Sequence, residues 1–114
     1  MTDLTIGQAQ RMTAPAPFAL LTSADKEGKT NIMAVSWWTY LSNHPVKIGA
    51  CLSNKGYSGG NIREGGEFAI CVVDEQLKDS ALQCGRCSGR STDKAAELGI
   101  ELAEAKMISP KVVA

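Results

Sequence analysis

The chain has no surplus of either charge: 12 Lys and Arg balance 12 Asp and Glu. No net positive field therefore draws in nucleic acid or an anionic lipid surface, and any anion site has to be built locally. Long apolar runs are missing too. None approaches the roughly 20 residues that a membrane-spanning helix needs. The opening, MTDLTIGQAQRM, has no apolar h-region, so no secretory signal is expected. Four cysteines without an export signal favour free thiols in a reducing cytoplasm. His44 is the only histidine, and it precedes a proline in a turn, where the ring is mostly solvated. No Ser/His/Asp set can be assembled by motif. The phosphate-loop order G-x-x-x-x-G-K-S/T is absent as well. Cys84 and Cys87 form one C-x-x-C pair but have no second close pair, so a zinc or iron–sulfur centre is not expected.

What is present fits one domain over residues 1–114, with 44% apolar and 21% charged residues. PFALLTSAD (17–25) is an apolar run ending in turn residues, and DKEGK (25–29) reads as a hairpin connection. TNIMAVSWWTYLS (30–42) reads as a strand buried on both sides or meeting a ligand. VKIGACLS (46–53) alternates as a third strand and EFAICVV (67–73) as a fourth. Between them, Ser58 is the expected N-cap of a short helix stopped at Gly65-Gly66. EQLKDSALQC (75–84) and STDKAAELG (91–99) read as helices, the second capped by Ser91 or Thr92 and stopped by Gly99. IELAEAKMIS (100–109) reads as another strand, and Val112 and Val113 as the opening of one more. Strands first and helices later suggest a β-rich α+β barrel or sandwich rather than a doubly wound sheet.

Two stretches carry candidate chemistry. LSNKGYSGGNI (52–62) offers Ser53, Lys55, Tyr57, Ser58 and a helix start, the donors that a phosphate needs. The same letters also describe a mobile Gly/Ser turn. CGRC (84–87) is a dithiol or a pair of structural thiols, and the second reading is favoured. Trp37 and Trp38 are expected on opposite sides of their strand, one filling the core and the other free to face a bound ring.

Taken together and in order, these motifs resemble the flavin reductase-like FMN-binding split-barrel family, in particular its flavoredoxin-like branch. The resemblance runs from about residue 14 to 110. It rests on NIM…SW…LS…P, then S-x-K-x-Y-S/T-x-x-N-I, then CG-x-x-SGR-x-x-DK. It implies a Greek-key split barrel built as a homodimer, with FMN near the dimer interface. Asn31, Ile32, Met33, Ala34, Val35, Ser36 and Trp37 would lie along the flavin. Ser53, Lys55, Tyr57 and Ser58, with Asn61 nearby, would hold its phosphate. Ser88, Gly89, Arg90, Asp93 and Lys94 would close over it. The implied activity is that of an oxidoreductase moving electrons between NADH or NADPH and flavin or a further acceptor. A carrier working with redox protein partners, or a module for another phosphorylated ligand, stands beside it. Three departures are visible. Cys71 stands where relatives often carry asparagine, and Ser58 where threonine is common. The chain is also shorter than the usual family domain, so the barrel is expected to lack its C-terminal strands.

Overall fold

Strand β1 (Ala19–Ala24) is buried on both faces, and the fold is arranged around it. The structure, a computed structural model, describes residues 5–8 and 17–114. Residues 1–4 and 9–16, including most of the stretch read for a leader and the start of the matching region, lie outside the described residues.

β1 pairs antiparallel with β2 (Thr30–Val35) on one side and with β5 (Ala69–Cys71) on the other. The connection at 25–29 is the expected hairpin. Asp25 Oδ1 accepts from the Glu27 and Lys29 N–H groups at 3.0 and 2.9 Å, and Gly28 supplies a φ of +83°. β3 (Trp38–Asn43) and β4 (Val46–Ala50) form a second antiparallel pair, joined through a cis His44–Pro45 bond. The run 30–42 is therefore two strands in two sheets, broken at Ser36-Trp37. Uninterrupted β-favouring residues do not reveal such a corner, because local propensity is the same on both sides of it. β6 (Leu102–Ala103) and β7 (Val112–Val113) make a third, two-residue pair. The strand expected over 100–109 is thus two residues long. Its remainder is tied elsewhere, with the Ser109 N–H donating to Glu67 Oε2 at 2.9 Å. That bond also holds the Glu67 carboxyl below its ordinary range. The class is α+β with antiparallel sheets that do not close into one barrel among the described residues.

Helix α1 (Tyr57–Gly65) ends at Gly66, whose φ of +74° lets its N–H reach Ile62 O at 2.8 Å. Its N-cap is Gly56 rather than Ser58, which sits inside the first turn. A short 3-10 turn (Glu75–Leu77), capped by Asp74, leads into α2 (Lys78–Cys84). α3 (Lys94–Leu98) is capped by Asp93, not by Ser91 or Thr92, and stops at Gly99 as expected. The Ser91 and Thr92 N–H groups instead turn back to Ser88 O.

Alternation along β1 divides the core. Leu20 packs with Ile32, Ala81, Cys84 and Ile100, under α2 and α3. Ala19 and Leu21 pack with Val35, Ile62, Phe68 and Trp38 on the opposite face, under α1. The β3–β4 hairpin stands apart and touches the other elements little. The radius of gyration is accordingly 15.1 Å, against roughly 13 Å for a compact chain of this length.

Candidate functional site

Among the described residues β2 has a partner on one side only, and a cleft of about 260 Å³ opens along its other edge. Asn31, Met33 and Ala34 line it from β2. Odd and even residues of a strand point to opposite faces, so a cleft touching both must follow the strand edge. Leu52, Ser53 and the first residues of α1 form a second wall, and the segment from Cys84 to Lys94 forms a third.

The second wall is built by close backbone approach. Ser53 O accepts from the Gly56 N–H at 3.1 Å. A Cβ on Gly59 would lie 2.9 Å from the same oxygen, so glycine is required there. Among the described residues no side chain caps the first turn of α1. Its N–H groups are left to a ligand or to water, and the helix dipole favours an anion among the candidates. Behind this turn, Asn31 Nδ2 donates to Ser58 Oγ at 2.8 Å in a buried hydrogen bond. Ser58→Ala removes the acceptor and leaves the amide unsatisfied, which costs about 1–3 kcal/mol. Chemical denaturation should show the loss as a lower midpoint at unchanged slope.

In the third wall, Arg90 Nη2 donates to Lys55 O at 2.8 Å, and its guanidinium lies 5.9 Å from the Tyr57 ring centroid. Lys94 lines the cleft while only 5% exposed, and its Nζ donates to Cys84 O at 2.8 Å. That carbonyl satisfies one donor, and among the described residues no carboxylate pairs with Lys94, so its Nζ stands at the cleft wall with donors to spare. Burial pushes the Cys84 thiol up; Lys94 partly offsets this, and Cys87 adds to it.

Asp93 holds the third wall to α3 and to the hairpin. Its Oδ1 accepts from the Ala96 N–H at 3.2 Å, and Oδ2 pairs with Lys29 at 3.1 Å. The Ala96 bond first, then Lys29, holds its carboxyl below the ordinary range. A depressed folded-state pKa stabilises above the unfolded value, and that stability is lost as pH falls through the folded one. Asp93→Ala should therefore lower Tm by a few degrees at pH 7. The difference should shrink in melts taken below the ordinary carboxylate range, as the pH falls through the depressed folded-state value and Asp93 itself protonates.

Ten of the residues anticipated for the site meet in this cleft: Asn31, Met33, Ala34, Ser53, Tyr57, Ser58, Ser88, Gly89, Arg90 and Lys94. Val35 points into the core beside Leu21. Ser36 sits at the corner between sheets. Trp37 is 60% exposed and lines a separate depression with Leu41 and Cys51, while Trp38 packs inward and donates from Nε1 to Pro17 O. The two indoles do part company as expected, but neither lines the cleft. Lys55 and Asn61 line an adjoining recess with Arg63, which shares Gly56, Tyr57 and Arg90 with the cleft. Asn61 is buried, and its Nδ2 finds no partner among the described residues. Cleft residues that sequence reasoning did not place there are Leu52, Gly56, Gly59, Cys84, Gly85 and Cys87. The i, i+3 spacing of Gly56 and Gly59, and of Cys84 and Cys87, was the available signal.

Residues 11–113 match the family model described as the flavin reductase like domain. The chain belongs to that family. This flavin reductase-like chain is similar to the flavoredoxin of Desulfovibrio vulgaris (Miyazaki F), with a TM-score of 0.87 and 26% identity over 99% of this chain and 61% of that one. It is similar to an FMN-binding domain of a flavin reductases-like enzyme from Shewanella baltica OS155, with a TM-score of 0.79 and 25% identity over 97% and 58%. A putative flavin reductase with a split barrel domain from Shewanella frigidimarina NCIMB 400 shares the fold, with a TM-score of 0.81 at 18% identity, over 97% and 58%. This flavin reductase-like chain thus spans about three fifths of the length of each of these structures.

Proposed function

We propose that this chain binds FMN in the β2 cleft and acts as an oxidoreductase, passing electrons between NADH or NADPH and flavin or a downstream acceptor. The observation that carries the reading is the uncapped start of α1, opening onto the same cleft as Arg90 and the buried Lys94. A phosphate needs convergent donors and a local positive charge, and this balanced chain concentrates both here. Ser53, Tyr57 and Ser58 take the phosphate end in this reading. Lys55 reaches it from the adjoining recess, beside Asn61. Asn31, Met33 and Ala34 lie along the flavin ring, where the unpaired edge of β2 offers backbone donors and acceptors to the ring's polar rim. Ser88, Arg90 and Lys94 flank the cofactor. The bound flavin supplies the hydride and electron chemistry; the chain binds it, orients it and limits its contact with water.

Colour is the first test. The purified chain with FMN should retain a visible flavin band after desalting, and a colourless protein without FMN affinity would sink the proposal. Lys55→Ala and Ser58→Ala should each raise the Kd for FMN roughly tenfold to a hundredfold, the value of about 1.5–3 kcal/mol for one charged hydrogen bond. Unchanged Kd in both variants would refute the phosphate assignment.

The likeness to a flavoredoxin over 99% of the chain favours a second reading, an FMN electron carrier serving redox protein partners without using a nicotinamide. NADH and NADPH oxidation assays on the FMN-loaded protein divide the two; turnover with neither favours the carrier. Assembly as a homodimer belongs to the same proposal. The projecting β3–β4 hairpin exposes Trp37, Tyr40, Leu41 and Val46, an apolar surface of the kind that partners cover. This would bring Trp37, Ser36 and Val35 near the interface end of the cofactor. No helix among the described residues is long and apolar enough to cross a membrane. The free state of Cys51, Cys71, Cys84 and Cys87 suits a cytoplasmic setting.

A further inference from the structure

We propose that Cys84 and Cys87 form a redox-active dithiol in the wall of the β2 cleft, able to exchange two electrons with a flavin bound there. The flavin partner rests on the reading given above; the dithiol rests on geometry of its own. Cys84 closes α2, and the chain keeps a helical turn beyond it. The Gly85 N–H donates to Leu82 O at 3.2 Å, and the Arg86 N–H to Gln83 O at 2.9 Å. The Cys87 S–H donates to Gln83 O at 3.4 Å. The turn bonds end at Arg86 and Cys87 follows in a bend, yet its sulfur folds back over the last turn of α2, the turn that Cys84 closes. A disulfide needs Cβ atoms about 3.5–4.5 Å apart, and closing the pair takes movement only in the bend after α2.

Both cysteines line the cleft, which places the pair where electrons would be handled rather than in an isolated core position. They differ in the way that an exchanging pair needs. Cys84 is 1% exposed, and its burial keeps the thiol protonated. Cys87 is half-buried and open to attack or to be attacked. Lys94 donates to the carbonyl of Cys84, and its proximity partly offsets the upward push of burial on the Cys84 thiol. Among the described residues no group of three His, Cys, Asp or Glu gathers, so the two sulfurs are argued as a dithiol and not as metal ligands.

The step balances as a two-electron exchange. Reduced flavin gives two electrons and two protons; the Sγ–Sγ bond of Cys84 and Cys87 breaks; two thiols form and the flavin is left oxidised. Run backwards, the dithiol loses two electrons and two protons to the flavin and the Sγ–Sγ bond forms.

Diamide oxidation of the whole chain, thiol counting and peptide mapping test the first half. Free thiols should fall from four to two per chain, with the bridge mapped to Cys84 and Cys87. Retention of all four thiols, or a bridge between Cys71 and Cys84 instead, would overturn the proposal. Anaerobic addition of reduced FMN to the oxidised protein tests the second half. Wild type should recover two thiols and reoxidise one FMN per chain, while Cys87→Ser should do neither. A bridge that dithiothreitol opens but reduced FMN does not would overturn the electron exchange. FMN binding without a bridge removes the dithiol and leaves the flavin reading standing. A bridge without FMN binding removes the flavin reading and the electron exchange together.

Discussion

Gly89→Ala is expected to raise the Kd for FMN at least tenfold and to lower Tm by several degrees. Gly89 has an ordinary negative φ, so the reason is space rather than conformation. A Cβ there would overlap Asn31 Oδ1, and would lie 2.6 Å from Asn31 Cγ and 2.8 Å from Tyr57 Cδ1. Neither neighbour is a loose chain end. Asn31 sits in β2 opposite Ser23, and its amide is committed to Ser58. Tyr57 begins α1. Relief therefore means turning the Asn31 amide out of its buried hydrogen bond or pushing the 85–93 loop off the strand. Overpacking costs about 1–3 kcal/mol, and a broken buried hydrogen bond adds a similar amount. Either movement displaces Ser88 and Arg90, which lie on the two sides of Gly89 in the cleft wall. FMN titration by fluorescence quenching alongside thermal melts checks both halves. Wild-type affinity in Gly89→Ala would mean that the loop does not shape the binding site.

Leu20→Ala should cost about 2–5 kcal/mol, the usual range for a leucine deleted from a closed core. Leu20 is fully buried at the centre of the three-stranded sheet, opposite both Ala34 and Cys71. Ile32, Ala81, Cys84 and Ile100 surround it from β2, α2 and the segment after α3, so no single element can collapse into the space. Against a total stability of about 5–15 kcal/mol, the loss is enough to leave much of the protein unfolded in a marginal case. Urea titration should show a lower midpoint with an unchanged slope. Leu82→Ala, in the same helix as Ala81 and Cys84 but 47% exposed, should change stability by about 0.5 kcal/mol or less. Equal effects at the two positions would overturn this account of the core. Because Leu20 packs behind Ala34 and Cys84, its deletion should also weaken FMN where the protein remains folded.

Local chemistry was readable wherever a few neighbouring residues settle the outcome. Asp25 and Gly28 announce the first hairpin, and Gly66 and Gly99 announce helix ends. Each does so through a turn that its own side chain or its lack of one makes favourable. Caps were harder. Ser58, Ser91 and Thr92 are good capping residues by type, but Ser58 is bound by Asn31 from 27 positions away and Asp93 takes the end of α3. Competition between two adequate caps is decided by tertiary partners. The division of 30–42 into two strands, and the shrinking of 100–109 to two strand residues, have the same origin. Pairing partners and sheet edges are long-range facts that propensity does not contain.

The site divides in the same way. Residue types and spacing alone marked out the Ser53–Ser58 stretch, because anion binding calls for particular donors beside a helix start; the order of motifs pointed to the flavin reductase-like family, and the β2 segment and the Ser88–Lys94 stretch followed from that resemblance. Only the folded chain decided that Met33 and Ala34 share one cleft across a strand edge. It also put Val35 in the core and Trp37 outside the cleft. Cys84 and Cys87, read as structural thiols from the sequence, reach the cleft because α2 packs its last turn against β2. A side chain's neighbours across a sheet edge depend on which element packs there, and that is settled by burying the apolar faces of the whole domain at once.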